Sequence, residues 1–204
     1  MKEIGEYAFL GSGGLTSIIV AENNTIYDSR NGCNAIIETN TNTLIAGCAT
    51  TIIPESVTKI EGSAFSGCSG LTSITIPESV TEIGCDAFSG CSALTSITIP
   101  KTITSIGNNT FYNCKKLVSI IIPEGVTSIG NNAFGSCTSL KTVTIPDSVT
   151  QIGKSAFSGC SSLKSITIPD SVTTIGYNAF RDCTSLTSVT IGNRVISIRE
   201  WAFY

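Results

Sequence analysis

Apolar positions recur along most of this 204-residue chain in one line, well represented by residues 71–88, LTSITIPESVTEIGCDAF. Leu71, Ile74 and Ile76 stand as L-x-x-I-x-I, and the end of that pattern alternates with period two. Threonine and isoleucine favour extended backbone, so 73–76 predicts a short strand. Pro77 closes it, because proline cannot donate the next ladder hydrogen bond. Val80 and Ile83 predict a second extended piece with both side chains inward. Asp86 follows, matched by Ser63, Asn109, Asn132, Ser155 and Asn178, all residues whose side-chain oxygen caps helix starts. The next residues, AFSGC, are therefore expected to form about one helical or 3₁₀ turn, since 3₁₀ runs rarely exceed ~3–4 residues. Ala87, Phe88, Cys91 and Leu94 bring the apolar side round to the next strand.

The line repeats at a fixed step. Phe65, Phe88, Phe111, Phe134, Phe157, Phe180 and Phe203 are each 23 residues apart. Pro54, Pro77, Pro100, Pro123, Pro146 and Pro169 keep that step, with Gly192 in the next place, and so do Leu71, Leu94, Leu117, Leu140, Leu163 and Leu186. A period of this size means stacked units, each with one apolar side that only its neighbours can bury. The expected organisation is a single β-rich solenoid array over 1–204. It has a partial first unit at 1–20, an enlarged irregular unit at 21–53 and regular repeats over 54–204. Phe9 and Phe65 are 56 residues apart, which is 23 plus 33, so ten extra residues lie in the second unit. There, Ala35–Glu38 and 43–46 are β-prone runs separated by TNTN, which predicts a hairpin. The insertion reads first as a tolerated loop and second as a binding loop. The sequence opens and closes inside the repeat, and Met1-Lys2-Glu3-Ile4-Gly5 has no apolar core of an export signal. A piece of a longer array is expected.

Composition narrows the class. With 41% hydrophobic and 13% charged residues the chain is too apolar for disorder. Its apolar runs, such as Ile120-Ile121-Ile122, fall far short of the ~20 residues that span a bilayer. Cys68, Cys91, Cys114, Cys137, Cys160 and Cys183 lie three residues after Phe and three before Leu, so they form an inward column of small side chains. Stacked rungs ~4.8 Å apart miss the ~3.8 Å between Cβ atoms that a disulfide wants. Zinc fits poorly, because the thiols run in a line without histidine. Cys85 shares its column with Gly62, Asn108, Asn131, Lys154, Tyr177 and Glu200, a surface pattern. Cys33 and Cys48 lie outside these columns, and either pairing or free thiols are compatible with the sequence.

The chain contains no histidine, which removes the commonest general base and metal ligand. Each Ile-Gly is isolated, so no phosphate loop is present. Carboxylates recur after the proline at Glu55, Glu78, Glu124, Asp147 and Asp170. Turn chemistry accounts for them, and calcium would need many converging oxygens. No enzyme, cofactor or metal is expected.

Two hydroxylated columns mark the exposed face of the first strand: Ser17, Ser73, Ser96, Ser119, Thr142, Ser165, Ser188, and then Ile19, Thr75, Thr98, Ile121, Thr144, Thr167, Thr190. Such residues suit half-exposed strands, and they also suit hydrogen bonding to a sugar or an extended peptide. Charge is uneven along the chain. Residues 1–100 carry ten acids and three bases, a balance of −7; residues 101–204 carry five acids and nine bases, +4, and the two sum to −3. Lys141 and Lys164 share one column at the mouth of the sheet, with Lys115 and Lys116 one turn earlier. These four lysines form a candidate anion site through their summed field, with Ser119, Thr142, Thr144, Ser165 and Thr167 as the adjoining floor. Nucleic acid is not expected, because net charge is negative and no aromatic residues interleave the lysines.

The repeat C-x-x-L-x-x-I-x-I-P-x-x-V-x-x-I-G-x-x-A-F resembles the leucine-rich repeat subclass of BspA-like surface proteins. Cys91, Leu94, Ile97, Ile99, Pro100, Ile103, Ile106, Gly107 and Phe111 match it in one copy, and the resemblance covers 54–204 together with 4–20. Thr110 departs from the alanine, Glu61 and Arg199 from the glycine, and Gly192 from the proline. The resemblance implies a curved right-handed leucine-rich repeat solenoid with a parallel sheet on the concave side and short convex strands. It further implies cell-surface or secreted display, without membrane insertion in this segment. The implied role is non-catalytic adhesion to a host or microbial macromolecule, a protein or an anionic glycan. A structural spacer array is the alternative, to be distinguished by whether unusual exposed residues concentrate in one place.

Overall fold

The computed structural model describes residues 3–5 and 7–204. Met1, Lys2 and Glu6, which belong to the predicted first unit, lie outside the described residues. The strands in chain order are β1 (Tyr27–Asp28), β2 (Ala35–Glu38), β3 (Thr43–Gly47), β4 (Lys59–Ile60), β5 (Ser73–Thr75), β6 (Glu82–Ile83), β7 (Ser96–Thr98) and β8 (Ser105–Ile106). They continue as β9 (Ser119–Ile121), β10 (Ser128–Ile129), β11 (Thr142–Thr144), β12 (Gln151–Ile152), β13 (Ser165–Ile168), β14 (Thr174–Ile175), β15 (Ser188–Ile191) and β16 (Ser197–Ile198).

Each regular turn of the solenoid carries two strands. The concave strands β5, β7, β9, β11, β13 and β15 face one another one rung apart. Parallel register pairs Ser73 with Ser96, Thr142 with Ser119, and Thr167 with Thr190. Convex strands stack the same way, with Ser128 opposite Ser105 and Gln151, and Ile152 opposite Ile175. Equal registers every 23 residues follow from equal sequence at every rung. In the enlarged unit, β2 pairs antiparallel with both β1 and β3, and β3 then passes into the parallel stack through β4.

The segment after the convex strand differs from the expected helical turn. Ser63, Asp86, Asn109, Asn132, Ser155 and Asn178 are not helix caps; all have positive φ, between 51° and 60°. Asn and Asp, with short polar side chains, are the non-glycine residues that tolerate this left-handed conformation best, and serine stands in for them here. The reversal breaks any helix and alternates the amides. Ala64 and Ser66 donate within the rung, to Glu61 and Ser63, whereas Ser63, Phe65 and Gly67 donate to Cys85, Ala87 and Ser89 of the next rung. The turn thereby becomes a third inter-rung ladder. The one 3₁₀ helix among the described residues, Arg30–Gly32, lies in the enlarged unit.

One continuous core runs from Cys33 to Ala202, and a smaller cluster of Ile18, Tyr27, Ile36, Ala46 and Cys48 closes the first end. Phe65 through Phe203 stack as near-parallel rings with centroids 5.1–5.6 Å apart, within the range for offset aromatic pairs. The stack starts against Gly47, where a Cβ would fall 2.0 Å from the Phe65 ring, so only glycine leaves the first ring its place.

Candidate functional site

Alternation along the concave strands fixes what this face offers. Ile74, Ile97, Ile120 and Ile166 point inward and are buried, while Ser73, Thr75, Ser96, Thr98, Ser119, Thr142, Thr144, Ser165 and Thr167 are exposed. The predicted floor residues therefore lie together. Ser119 faces Thr142 across β9 and β11, and Ser165 continues that column at the next rung, while Thr144 and Thr167 continue the column of Ile121. Two isoleucines interrupt the hydroxyl columns, Ile19 and Ile121, and Ile121 is 76% exposed. Ile121 gives the floor an apolar contact that the candidate residues did not include, although its departure from the threonine column is legible in the sequence.

The four lysines are exposed. Lys141 and Lys164 stand on successive rungs just before β11 and β13, and the Lys141 amide donates to Val118 of the preceding rung at 2.9 Å. Lys115 and Lys116 precede β9 in neighbouring columns. The ion pairs among the described residues are Arg30–Asp28, Lys59–Glu61, Lys59–Glu82 and Arg181–Asp182. The lysine cluster is thus left without carboxylate partners, whereas Lys59 in the acidic half is neutralised twice over.

A second feature of this face lies nearer the enlarged unit. A shallow cleft of about 460 Å³ is lined by Ile52, Glu55, Ser73, Thr75, Ser96 and Thr98. The cleft arises because the end of the insertion stands beside β5 and β7. The recurrence of Ser and Thr announces its floor, but nothing in the repeat announces its wall.

The other candidate chemistries resolve into structure. Glu78 accepts the Lys101 backbone N–H at 3.1 Å, and Asp170 that of Asn193 at 2.7 Å, so members of the carboxylate column satisfy the next rung's turn. In the thiol column, Cys91, Cys114, Cys137, Cys160 and Cys183 donate to Phe carbonyls of the preceding rung at 3.1–3.2 Å. Burial pushes these thiols up, to about 12 for Cys137 and about 11 for Cys183, away from the thiolate needed for reactivity. Cys33 and Cys48 are buried free thiols, and Cys85 is an exposed one. Among the described residues no group of three or more Cys, Asp or Glu side chains could hold a metal ion. No helix among them is long and apolar enough to cross a membrane.

A leucine-rich repeat solenoid is the class that this architecture defines. The family model for the BspA type leucine rich repeat region matches residues 46–164 and 150–204, with six copies, and the chain belongs to that family. No curated protein matches the chain. Among solved structures, the leucine rich repeat protein of T. pallidum is similar at 27% identity and a TM-score of 0.69, over 89% of this chain and 86% of that one. A leucine rich cell surface protein of Faecalibacterium prausnitzii is 31% identical with a TM-score of 0.63, over 90% of this chain and 44% of its own. A leucine-rich repeat protein of Bacteroides ovatus is 30% identical with a TM-score of 0.59, over 90% and 55%. This chain thus spans about half the length of the latter two.

Proposed function

We propose that this chain is a non-catalytic binding module of a cell-surface or secreted protein, and that its concave face holds a macromolecule, either an acidic protein or an anionic glycan. The observation that carries the reading is the unpaired lysine cluster, Lys115, Lys116, Lys141 and Lys164, at the mouth of a hydroxyl floor made by Ser119, Thr142, Thr144, Ser165 and Thr167. Lysines attract an anion at long range, and the hydroxyls hydrogen-bond it at contact. Kinship with a described cell surface protein supports the location. A spacer array would have interchangeable exposed positions, and the concentration of bases in one half speaks against that.

Exposed contacts of this kind contribute ~1 kcal/mol or less each. Affinity must therefore come from several rungs engaging one extended ligand at once. The test is to recover a partner by pull-down, reverse Lys116, Lys141 and Lys164 to glutamate, and measure affinity at rising salt. Loss of affinity in the variant, together with weakening as salt shortens screening to ~8 Å at 0.15 M, supports the reading. Unchanged affinity with an intact fold removes it.

A further inference from the structure

One interior rung of the array departs from its neighbours at several exposed positions together. Around β9, Lys115 and Lys116 stand where the other regular rungs carry serine, threonine, glycine or alanine. Val118 stands where they carry threonine or lysine, and Ile121 where they carry threonine. All four side chains are exposed, Ile121 to 76% and Val118 to 41%. Regular rungs flank them on both sides. The Val118 amide donates to Thr95 of the preceding rung and its carbonyl accepts the Lys141 amide of the next, while Ile121 lies opposite Thr144. A half-exposed strand tolerates one isoleucine for its β propensity. That propensity does not account for two apolar and two basic departures on the same rung.

The two lips of this face differ in sign. The residue after the strand-closing proline reaches the concave side, as Glu55 does where it lines the cleft beside β5. On the rungs of β9, β11 and β13 that position holds Glu124, Asp147 and Asp170, all exposed. Lys116, Lys141 and Lys164 precede the same strands, so the floor runs between a basic lip and an acidic one. Ile121 lies on the acidic side of it, three residues before Glu124. A polymer of one sign, such as a sulfated glycan, gains at the lysines and loses at the carboxylates. An extended polypeptide projects successive side chains to opposite sides, so it can turn acids to one lip and apolar groups to the other.

We infer that the ligand of this face is an extended polypeptide segment and not a glycan, with acidic side chains directed to Lys116, Lys141 and Lys164 and alternate apolar side chains seated against Ile121. The inference rests on the binding role proposed above and adds to it the class of ligand and an apolar contact. Covering Ile121 removes apolar surface from water, a gain that a charged, hydroxylated chain shares little.

Ile121→Thr tests this without endangering the fold, because threonine is the residue of this column in the flanking rungs. The intact chain and the variant are each titrated with two fluorescein-labelled octapeptides, one alternating glutamate with valine and one alternating glutamate with serine, and with a heparin octasaccharide. The valine peptide should bind the intact chain about tenfold more tightly than the serine peptide. Ile121→Thr should remove most of that preference and leave the serine peptide unaffected, whereas reversing Lys116, Lys141 and Lys164 to glutamate should abolish binding of both. Heparin binding that exceeds both peptides and is lost on lysine reversal keeps the anionic edge and overturns the peptide assignment. Equal binding of the two peptides, a valine preference that survives Ile121→Thr, or no binding by any probe overturns it as well, while the partner recovered by pull-down decides the broader role separately.

Discussion

The thiol of Cys137 donates a hydrogen bond to the carbonyl oxygen of Phe111, 3.1 Å away and one rung back. The same bond recurs from Cys91 to Cys183. A serine hydroxyl could make a similar bond, but thiols also behave as small hydrophobes in a fully buried column, which accounts for cysteine at this place in nearly every unit.

The column sets an alkaline limit on stability. Burial, first of all, raises Cys137 from the ordinary thiol value of 9.0 to about 12 and Cys183 to about 11, and it raises Cys91, Cys114 and Cys160 as well. Below pH 9 both folded and unfolded chains keep these protons, and the stability is fully present. Above it the unfolded chain ionises first, so stability falls as pH rises, by up to about 1.4 kcal/mol per pH unit for each thiol. Urea midpoints at pH 7, 9 and 10.5 check this, and Cys137→Ala should blunt the slope.

Thiol accessibility follows the same geometry. Cys85 should alkylate fast in the native protein, while Cys114, Cys137 and Cys160 should react only after denaturation. Mass mapping after a short iodoacetamide pulse reads the difference; equal labelling would put the column on the surface.

Phe134→Ala opens a gap between the Phe111 and Phe157 rings. The expected cost is ~3–5 kcal/mol, and hydrogen exchange should accelerate first around residues 111–160, since each rung leans on its neighbours. Unchanged exchange there would contradict a core role for the ring stack.

Much of this architecture was legible because inward positions repeat. Phe134 or Leu140 alone says little, but seven copies of the one and six of the other at a fixed step specify rungs and their facing. The turn at Asp86 and Asn109 is ambiguous in the sequence, because a side-chain oxygen serves both a helix cap and a left-handed residue, and the structure has the latter. The decision rests on where the amide of Phe88 goes, and it goes to Thr110 of the next rung. The lysines and hydroxyls of the concave edge were visible as columns.

The central claim is that ligands are held along the concave edge, and lysine footprinting tests it most directly. The protein is acylated with a lysine-reactive ester, alone and with a captured partner bound, and each lysine is quantified by mass. Protection of Lys116, Lys141 and Lys164, with Lys101 and Lys154 reacting as before, is the predicted result. Protection of Lys154 with Lys141 and Lys164 still fully reactive would contradict the account.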